Sequence, residues 1–329
     1  MSGSLISIII LNWNGSECIT ECVESVEKTI YKNIEIIIVD NASTDDSLEK
    51  IKNNFPDVHL IELKENIGYA AGNNRGFQKA QGEFIATLNN DTVVDPKWLS
   101  QPSAFLENDK TVGIIACRQM KYNNHEIIDC LYSYPLRSLL FQPMGSGKKY
   151  SSKELYSQPG LVLGAGGASA IYRKKLLDEL DGFDERYYSY HEESDLCMRA
   201  FLSGWKCMYA PSSIVYHRGS FSYNRIKKQF GYYHERNRIW FIYKFYPRSF
   251  FLKNIVWISI MALRLIRVHL FKQKMGFGLF TAWFHGMSGL KAFQGDRMRY
   301  IEKFREKQWL FNYFIKDKKL RKLPQKNVS

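Results

Sequence analysis

The sequence predicts an α/β fold: a mostly parallel sheet flanked by helices, followed by a basic helical C-terminal extension. Three observations predict it. Short apolar runs alternate with segments of helical spacing from residue 5 to about residue 90. These runs are apolar along their whole length, as strands covered on both faces are. The charge divides along the chain: residues 222–329 carry 24 Lys and Arg against 5 Asp and Glu, a net of +19, while residues 1–221 are net −6. We therefore expect an acidic body over 1–221 and a basic, aromatic-rich region over 222–329. With 329 residues, 45% hydrophobic and 24% charged, the chain can bury a sizeable core, which excludes collagen-like, mucin-like and wholly disordered classes.

The elements follow in order. Leu5–Leu11 is a buried strand ending in the polar turn Asn12–Gly15, and Ser16–Lys28 has helical spacing. Ile34–Val39 is a β-branched strand closed by Asp40-Asn41-Ala42-Ser43; Ser43 or Thr44 can cap a helix from Asp45 to about Lys52. Val58–Leu63 is a third strand, Gly68–Ala80 a helix, and Glu83–Leu88 a fourth strand ending at Asn89-Asn90-Asp91. In open parallel sheets the ligand lies beyond the carboxyl ends of the strands. Asn12–Gly15, Asp40–Asn41 and Asn89–Asp91 all fall there. Thr111–Ala116 reads as a further strand, Met120–Pro159 as loops over the site, Leu161–Tyr172 as an apolar Gly-rich segment before a helix from Arg173, Glu192–Ser203 as a helix, and Trp205–His217 as extended.

Six thinly spread cysteines without a CxxC pair favour neither zinc nor a disulfide framework. The N-terminal apolar run lacks a basic flank and breaks at Asn12, so we expect a reduced, cytoplasmic protein.

Several clusters carry chemistry. Asp91 at a strand end suits a divalent ion completed by phosphate oxygens, or an ordinary Asn/Asp turn. Asp40 fits either a nucleotide contact or a capping turn. Tyr188-Ser-Tyr190-His191-Glu192-Glu193-Ser194-Asp195 gathers three acids and a histidine at a helix start. Clustered carboxylates raise one another's pKa, which suits a general base; compensation of the helix dipole is the competing reading. Leu163-Gly-Ala-Gly-Gly-Ala168 is a poor dinucleotide fingerprint, since Ser169 stands at the third glycine position. Close backbone approach to a substrate fits Gly166 and Gly167 better.

Together these segments resemble glycosyltransferase family 2, inverting sugar transferases of GT-A fold, and among them its rhamnosyltransferase-like members. The resemblance rests on six pieces in family order over about residues 5–220. They are Ser7-Ile-Ile-Ile-Leu11-Asn12-Trp13-Asn14-Gly15, Val39-Asp40-Asn41-Ala-Ser43-Thr-Asp45, Asn66-Ile-Gly68-Tyr-Ala-Ala-Gly72-Asn73-Asn74-Arg-Gly76, Leu88-Asn89-Asn90-Asp91-Thr92, Gly182-Phe183-Asp184-Glu185 and Glu192-Glu193-Ser194-Asp195-Leu196-Cys-Met-Arg199. The resemblance implies metal-dependent, inverting hexosyl transfer. It implies donor binding by Asn12, Asn14, Asp40, Asn41, Asn66, Gly68, Asn73, Asn90 and Asp91. Asp91 matches the end of the DXD-type motif, with His217 and Asn89 completing a Mn2+ or Mg2+ site. Glu193 matches the catalytic base, with Glu192 as its alternative. Gly166, Gly167, Tyr190, His191 and Asp195 fall on the acceptor side, where Tyr187-Tyr188-Ser189-Tyr190 offers sugar-stacking faces. The implied donor is a nucleotide sugar, dTDP-L-rhamnose first. The implied acceptor is a glycan, commonly lipid-linked, in cell-surface polysaccharide synthesis.

In the basic region, Phe250–Phe271 is apolar, interrupted by Lys253, Arg264 and Arg267 within a sector of roughly 60° at about 100° per residue. Its longest charge-free stretch, Asn254–Leu263, is too short to span a bilayer. Met275–Phe293 is a second apolar helix and Lys316–Lys326 a polybasic end. We expect peripheral attachment at the inner face of the cell membrane, or packing on the body or a second subunit as a homo-oligomer. A nucleic-acid-binding protein is the alternative class; long apolar runs between the cations argue against it.

Overall fold

The computed structural model describes residues 3–136, 141–151, 157–219, 227–268 and 277–316. The apolar runs become β1 (Ile6–Asn12), β2 (Ile34–Asp40), β3 (His59–Glu62) and β4 (Phe84–Asn89), linked by α1 (Ile19–Glu27), α2 (Ser47–Asn54) and α3 (Gly68–Lys79). Next come β5 (Thr92–Val94), α4 (Ser100–Asn108), β6 (Val112–Lys121), β7 (Asn124–Cys130), β8 (Ser133–Pro135) and β9 (Phe141–Pro143). They are followed by β10 (Gly160–Val162), β11 (Ser169–Arg173), α5 (Lys174–Leu180), α6 (Glu192–Leu202) and β12 (Lys206–His217). The C-terminal region holds α7 (Lys227–Phe245), α8 (Arg248–Lys253), α9 (Ile255–Arg267), α10 (Phe277–Ser288) and α11 (Gln294–Lys316).

The main sheet runs in the order β10-β12-β6-β11-β4-β1-β2-β3, with β5 on β12 and β7 on β6. β1 is parallel to β2 and β4, in a register that sets Asn12 beside Asp40 and Leu11 beside Asn89. Their polar ends therefore form one rim. β11 is antiparallel to β4, pairing Ser169 with Leu88, so the glycines preceding it reach the same rim.

Successive residues of a strand face opposite sides. Ile9 joins a core with Phe77, Tyr172 and Leu196, while Ile8 and Ile10 join one with Val23, Trp98 and Leu106. Burial on both faces is why these runs show no polar alternation. A third core packs Met198 and Leu202 of α6 against Phe241, Phe245, Tyr300 and Phe304 from α7 and α11.

Four expectations are corrected. α2 begins at Ser47, and neither Ser43 nor Thr44 caps it; Ser43 Oγ instead donates to Asp40 Oδ1 at 2.6 Å, a nearer and charged acceptor. The segment read as loops extends β6 to Lys121 and adds β7, β8 and β9. The late residues of β12 supply the partner, Ile214–His217 pairing with Arg118–Lys121. The helix expected over Phe250–Phe271 breaks at Asn254, whose Nδ2 donates to Phe250 O at 2.9 Å; its last three residues lie outside the described ones. In the second apolar segment, α10 covers 277–288 and a 3-10 turn covers Gly289–Phe293. The polybasic end from residue 317 onward also lies outside the described residues. All six cysteines are buried and unpaired.

Candidate active site

The rim of β1, β2 and β4 is wired by amides. Asn12 Nδ2 donates to Asp40 Oδ1 (2.8 Å) and Ser47 Oγ (2.9 Å), and its Oδ1 accepts from Asn90 Nδ2 (2.9 Å). Gly15 is required beside them: a Cβ there would strike both Asn90 Nδ2 and Asn12 Oδ1. Asp40 Oδ2 accepts from Ser43 N at 3.0 Å, and Asn14 Oδ1 from Thr44 N at 2.7 Å. A second clasp joins Asn41 Nδ2 to Asn66 Oδ1 (3.0 Å), which also accepts from Gly68 N (2.9 Å) and the Tyr188 hydroxyl (3.1 Å).

A cleft of about 770 Å3 opens at this rim. Asn41, Asn66, Gly68, Asn89, Asn90 and Asp91 line one part of it; Gly166, Gly167, Tyr190, Glu192, Glu193 and His217 line the rest. Six expected residues turn elsewhere. Asn12 and Asp40 are buried within the amide network just described, and Asn14 is held in the same loops. Asn73 is buried and donates to the Tyr69 carbonyl of its own helix at 3.0 Å. Asp195 is fully buried, with Oδ2 taking Arg199 Nε at 2.6 Å and Oδ1 taking Lys244 Nζ at 2.7 Å and the Tyr187 hydroxyl at 3.2 Å. Three donors leave it no face toward an acceptor. His191 is also turned away: it is packed against His234 and Phe241 of α7, with ring centroids 4.8 and 6.0 Å apart, and burial drives its pKa well below the usual value.

Glu192 and Glu193 remain in the cleft as a coupled pair. Burial, then the charge of Glu193, raises the Glu192 carboxyl well above the usual range. Burial also raises Glu193, and the hydrogen bond from Glu192 lowers it. Burial thus raises both carboxyls, which share one site at the start of α6. A Cβ on Gly167 would collide with Glu193 Oε1, so this glycine clears the space the carboxylate occupies. Gln119 Nε2 holds the glycine turn through the carbonyls of Gly166 and Ser169, both at 3.0 Å, and the Tyr69 hydroxyl donates to Gly167 O at 2.9 Å.

His217 Nε2 lies 3.4 Å from Asp91 Oδ1, and its Nδ1 lies 2.8 Å from Asp129 Oδ2. Burial alone would lower this imidazole; hydrogen bonds to Asp129 and Asp91 push it up to about 10. Among the described residues no three His, Cys, Asp or Glu side chains form a closed cage. Were a cation to displace the Nε2 proton of His217, the donor set would fit an open site of one carboxylate and one imidazole, with Nδ1 held by Asp129 as is usual for a ligating histidine.

Sequence reasoning missed Asp129, Gln119, Tyr69, Gln229 and Tyr233 in this cleft. Tyr69 was reachable, standing next to Gly68 at a helix start. Asp129 lay in a segment without a strand signal. Tyr233 and Gln229 arrive on α7 from the C-terminal region, and Tyr233 stacks on Tyr188 at 4.8 Å. Asn237 Nδ2 of the same helix gathers the carbonyls of Tyr187, Ser189 and Tyr190 at 2.7–2.9 Å. It thereby holds a loop in which Tyr188, Tyr190 and His191 all take positive φ.

Comparison with known proteins gives this cleft a family. Residues 7–181 match the family described as Glycosyl transferase family 2. The Escherichia coli protein UDP-Glc:alpha-D-GlcNAc-diphosphoundecaprenol beta-1,3-glucosyltransferase WfaP is 39% identical over 108 residues, 32% of this chain and 43% of its own length. The alignments with the curated relatives span from about a fifth to under half of their length. GalNAc-T7 with UDP, GalNAc and Mn2+ superposes with a TM-score of 0.59 at 19% identity, over 75% of this chain and 49% of its own. The mannosyltransferase PcManGT from Pyrobaculum calidifontis, with GDP-Man and Mn2+, superposes at 0.52 and 16% identity, over 95% and 85%. These likenesses show a GT-A fold, and with the matched residues covering more than half of the sequence, the chain belongs to glycosyl transferase family 2.

Proposed function

We propose that the protein transfers a sugar, with inversion, from a nucleoside-diphosphate donor to a hydroxyl of a glycan acceptor in polysaccharide assembly. The observation that carries this is one cleft holding Glu193, in the space opened by Gly167, together with the Asp91–His217 pair. Glu193 accepts the proton of the acceptor hydroxyl as its oxygen attacks the anomeric carbon. The bond from that carbon to the phosphate oxygen breaks, and the diphosphate leaves with the electron pair. Glu192 is the second carboxyl of the same cleft, beside the base. A Mn2+ or Mg2+ ion held by Asp91 and His217, with Asn89 beside them, would neutralise charge on the departing diphosphate. The Asn12–Asp40–Asn90 network positions the donor-side rim rather than touching the sugar. Asn41, Asn66 and Gly68 face the donor; Tyr190, Tyr188 and Tyr233 face the acceptor and offer flat rings to a sugar. The region 222–329 belongs to this working unit through α7.

dTDP-L-rhamnose is the first donor to test, on the motif resemblance; UDP-Glc and GDP-Man follow, as the donors of WfaP and of the PcManGT complex. The alpha-D-GlcNAc-diphosphoundecaprenol acceptor of WfaP supports a lipid-linked glycan. A thermal-shift panel of these nucleotide sugars with and without Mn2+ tests the reading. A donor at 100 times its Kd stabilises the fold by about 2.7 kcal/mol, a rise of roughly 4 °C for a chain of this length. No rise with any nucleotide sugar plus Mn2+ would overturn it.

A further inference from the structure

Two consecutive helices of the C-terminal region leave large apolar side chains in solvent. On α10, Phe277, Phe280, Phe284 and Met287 recur at intervals of three and four residues, within a sector of about 80°. Phe277 is 88% exposed and Phe284 70%. The opposite face, Leu279, Ala282 and Gly286, is buried against α7. On α9, Val256, Ile260 and Leu263 are exposed, Leu263 by 67%, while Ile258 on the far side is buried. These three side chains fall with Arg264 and Arg267 within a sector of about 100°, flanked by the exposed Ile255 and Trp257. Apolar and cationic side chains are thus interleaved on one face. Ordinary soluble surfaces scatter such apolar residues singly and do not align them along a helix.

The surrounding charge decides what this face suits. From Arg236 to Gly295 the sequence contains ten Lys and Arg and no Asp or Glu. Arg238 and Lys244 are buried in ion pairs with Glu235 and with Asp184 and Asp195, but Arg264 and Arg267 lie on the exposed face, and a second copy of this chain would bring them against themselves. A nucleic acid would meet the cations but leave the phenylalanines in water. A surface that is anionic at its headgroups and apolar just beneath satisfies both side-chain classes, with the long Arg stems reaching up to the phosphates. Among the described residues no helix is long and apolar enough to cross a membrane, so this face would lie on the lipid.

We propose that the exposed faces of α9 and α10 dock the protein on an anionic lipid surface, the apolar side chains inserted below the headgroups and Arg264 and Arg267 on the lipid phosphates. The attachment is independent of which sugar or acceptor the cleft takes.

The test is co-sedimentation of the full chain with vesicles of phosphatidylcholine, with and without about a third phosphatidylglycerol. The parent pellets with the anionic vesicles and much less with the neutral ones. Each cation near such a surface contributes about fivefold in partitioning, so Arg264→Gln with Arg267→Gln lowers it roughly 25-fold. Phe280→Ser with Phe284→Ser, and separately Ile260→Ser with Leu263→Ser, lower it by about tenfold or more. All six side chains are exposed or at the exposed face, so unchanged far-UV circular dichroism and melting show that each variant is folded. The proposal is overturned if the parent stays in solution with anionic vesicles, or if it pellets and all three variants pellet equally. It is also overturned if sedimentation velocity shows a dimer, lost in the same variants, without vesicle binding. Retention of a DNA duplex in place of vesicles overturns it in favour of nucleic acid.

Discussion

Replacing Lys244 by Met removes one charge from the contact between α7 and the body. The Lys244 ammonium is buried 2.7 Å from Asp195 Oδ1 and 2.9 Å from Asp184 Oδ2. Met keeps an apolar stem of similar length, so what is lost is the ammonium's ion pairs and its approach to the rings of Phe245 and Tyr187, at 5.4 and 5.8 Å. Removing one partner of a buried ion pair costs about 3–5 kcal/mol because the other charge stays buried. Here each carboxylate retains a guanidinium at 2.6 Å, Arg186 for Asp184 and Arg199 for Asp195, which points to the lower end. At about 2.1 cal/mol/K of unfolding entropy per residue, about 3 kcal/mol lowers the melting temperature of this chain by roughly 4 °C. The pH dependence adds a second reading. Burial alone would raise the Asp184 carboxyl, but the hydrogen bond from Arg186 and the charge of Lys244 hold it well below the usual carboxylate range. A depressed carboxylate stabilises the fold above its unfolded pKa, near 4. That contribution disappears as pH falls through the folded value. The gap between parent and Lys244→Met is therefore constant above about pH 5 and narrows below about pH 4. Differential scanning calorimetry from pH 3 to 8 measures both. A variant melting within about 1 °C of the parent throughout would refute the reasoning and make the C-terminal region a separable appendage.

Three further outcomes test the cleft. Glu193→Gln lowers kcat by about 10²–10⁴-fold with donor Kd unchanged, whereas Glu192→Gln, facing about 100° away on the helix start, costs far less; the reverse order in a transfer assay would make Glu192 the base. Asp91→Asn retains the fold but loses the Mn2+-promoted gain in nucleoside-diphosphate binding by calorimetry; undiminished Mn2+ dependence removes Asp91 from the ligand set. Gly167→Ala pushes the Glu193 carboxylate aside and lowers kcat by about 10²-fold while donor binding stays within about twofold, and a normal rate would show that the carboxylate needs no such clearance.

Asp195 and Glu193 show how far a charge cluster can be read from the chain alone. Two residues apart on one helix, they point about 200° apart, so one must face inward when the other faces the cleft. Arg199, one turn beyond Asp195, hinted at which. Lys244, which completes the assignment, lies 49 residues farther along and reaches Asp195 only because α7 packs on α6. The α9 face behaved similarly: its apolar and cationic period is local, but the break at Asn254 and the burial of Ile258 depend on neighbours.

What the sequence by itself determined was whatever depends on adjacent residues. Apolar runs buried on both faces specified the strands, and the polar turns after them specified the rim, because parallel neighbours end together. Tertiary structure alone decided which rim residues face the cleft. Asn12 and Asp40 turn to one another because the register of β1 on β2 sets them side by side. Asp129 meets His217 only because β7 and β12 both pair with β6, and Tyr233 reaches the cleft only because α7 folds back over Tyr188. Such contacts join residues tens to hundreds of positions apart, and no local pattern of hydrophobicity or charge encodes a partner at that distance.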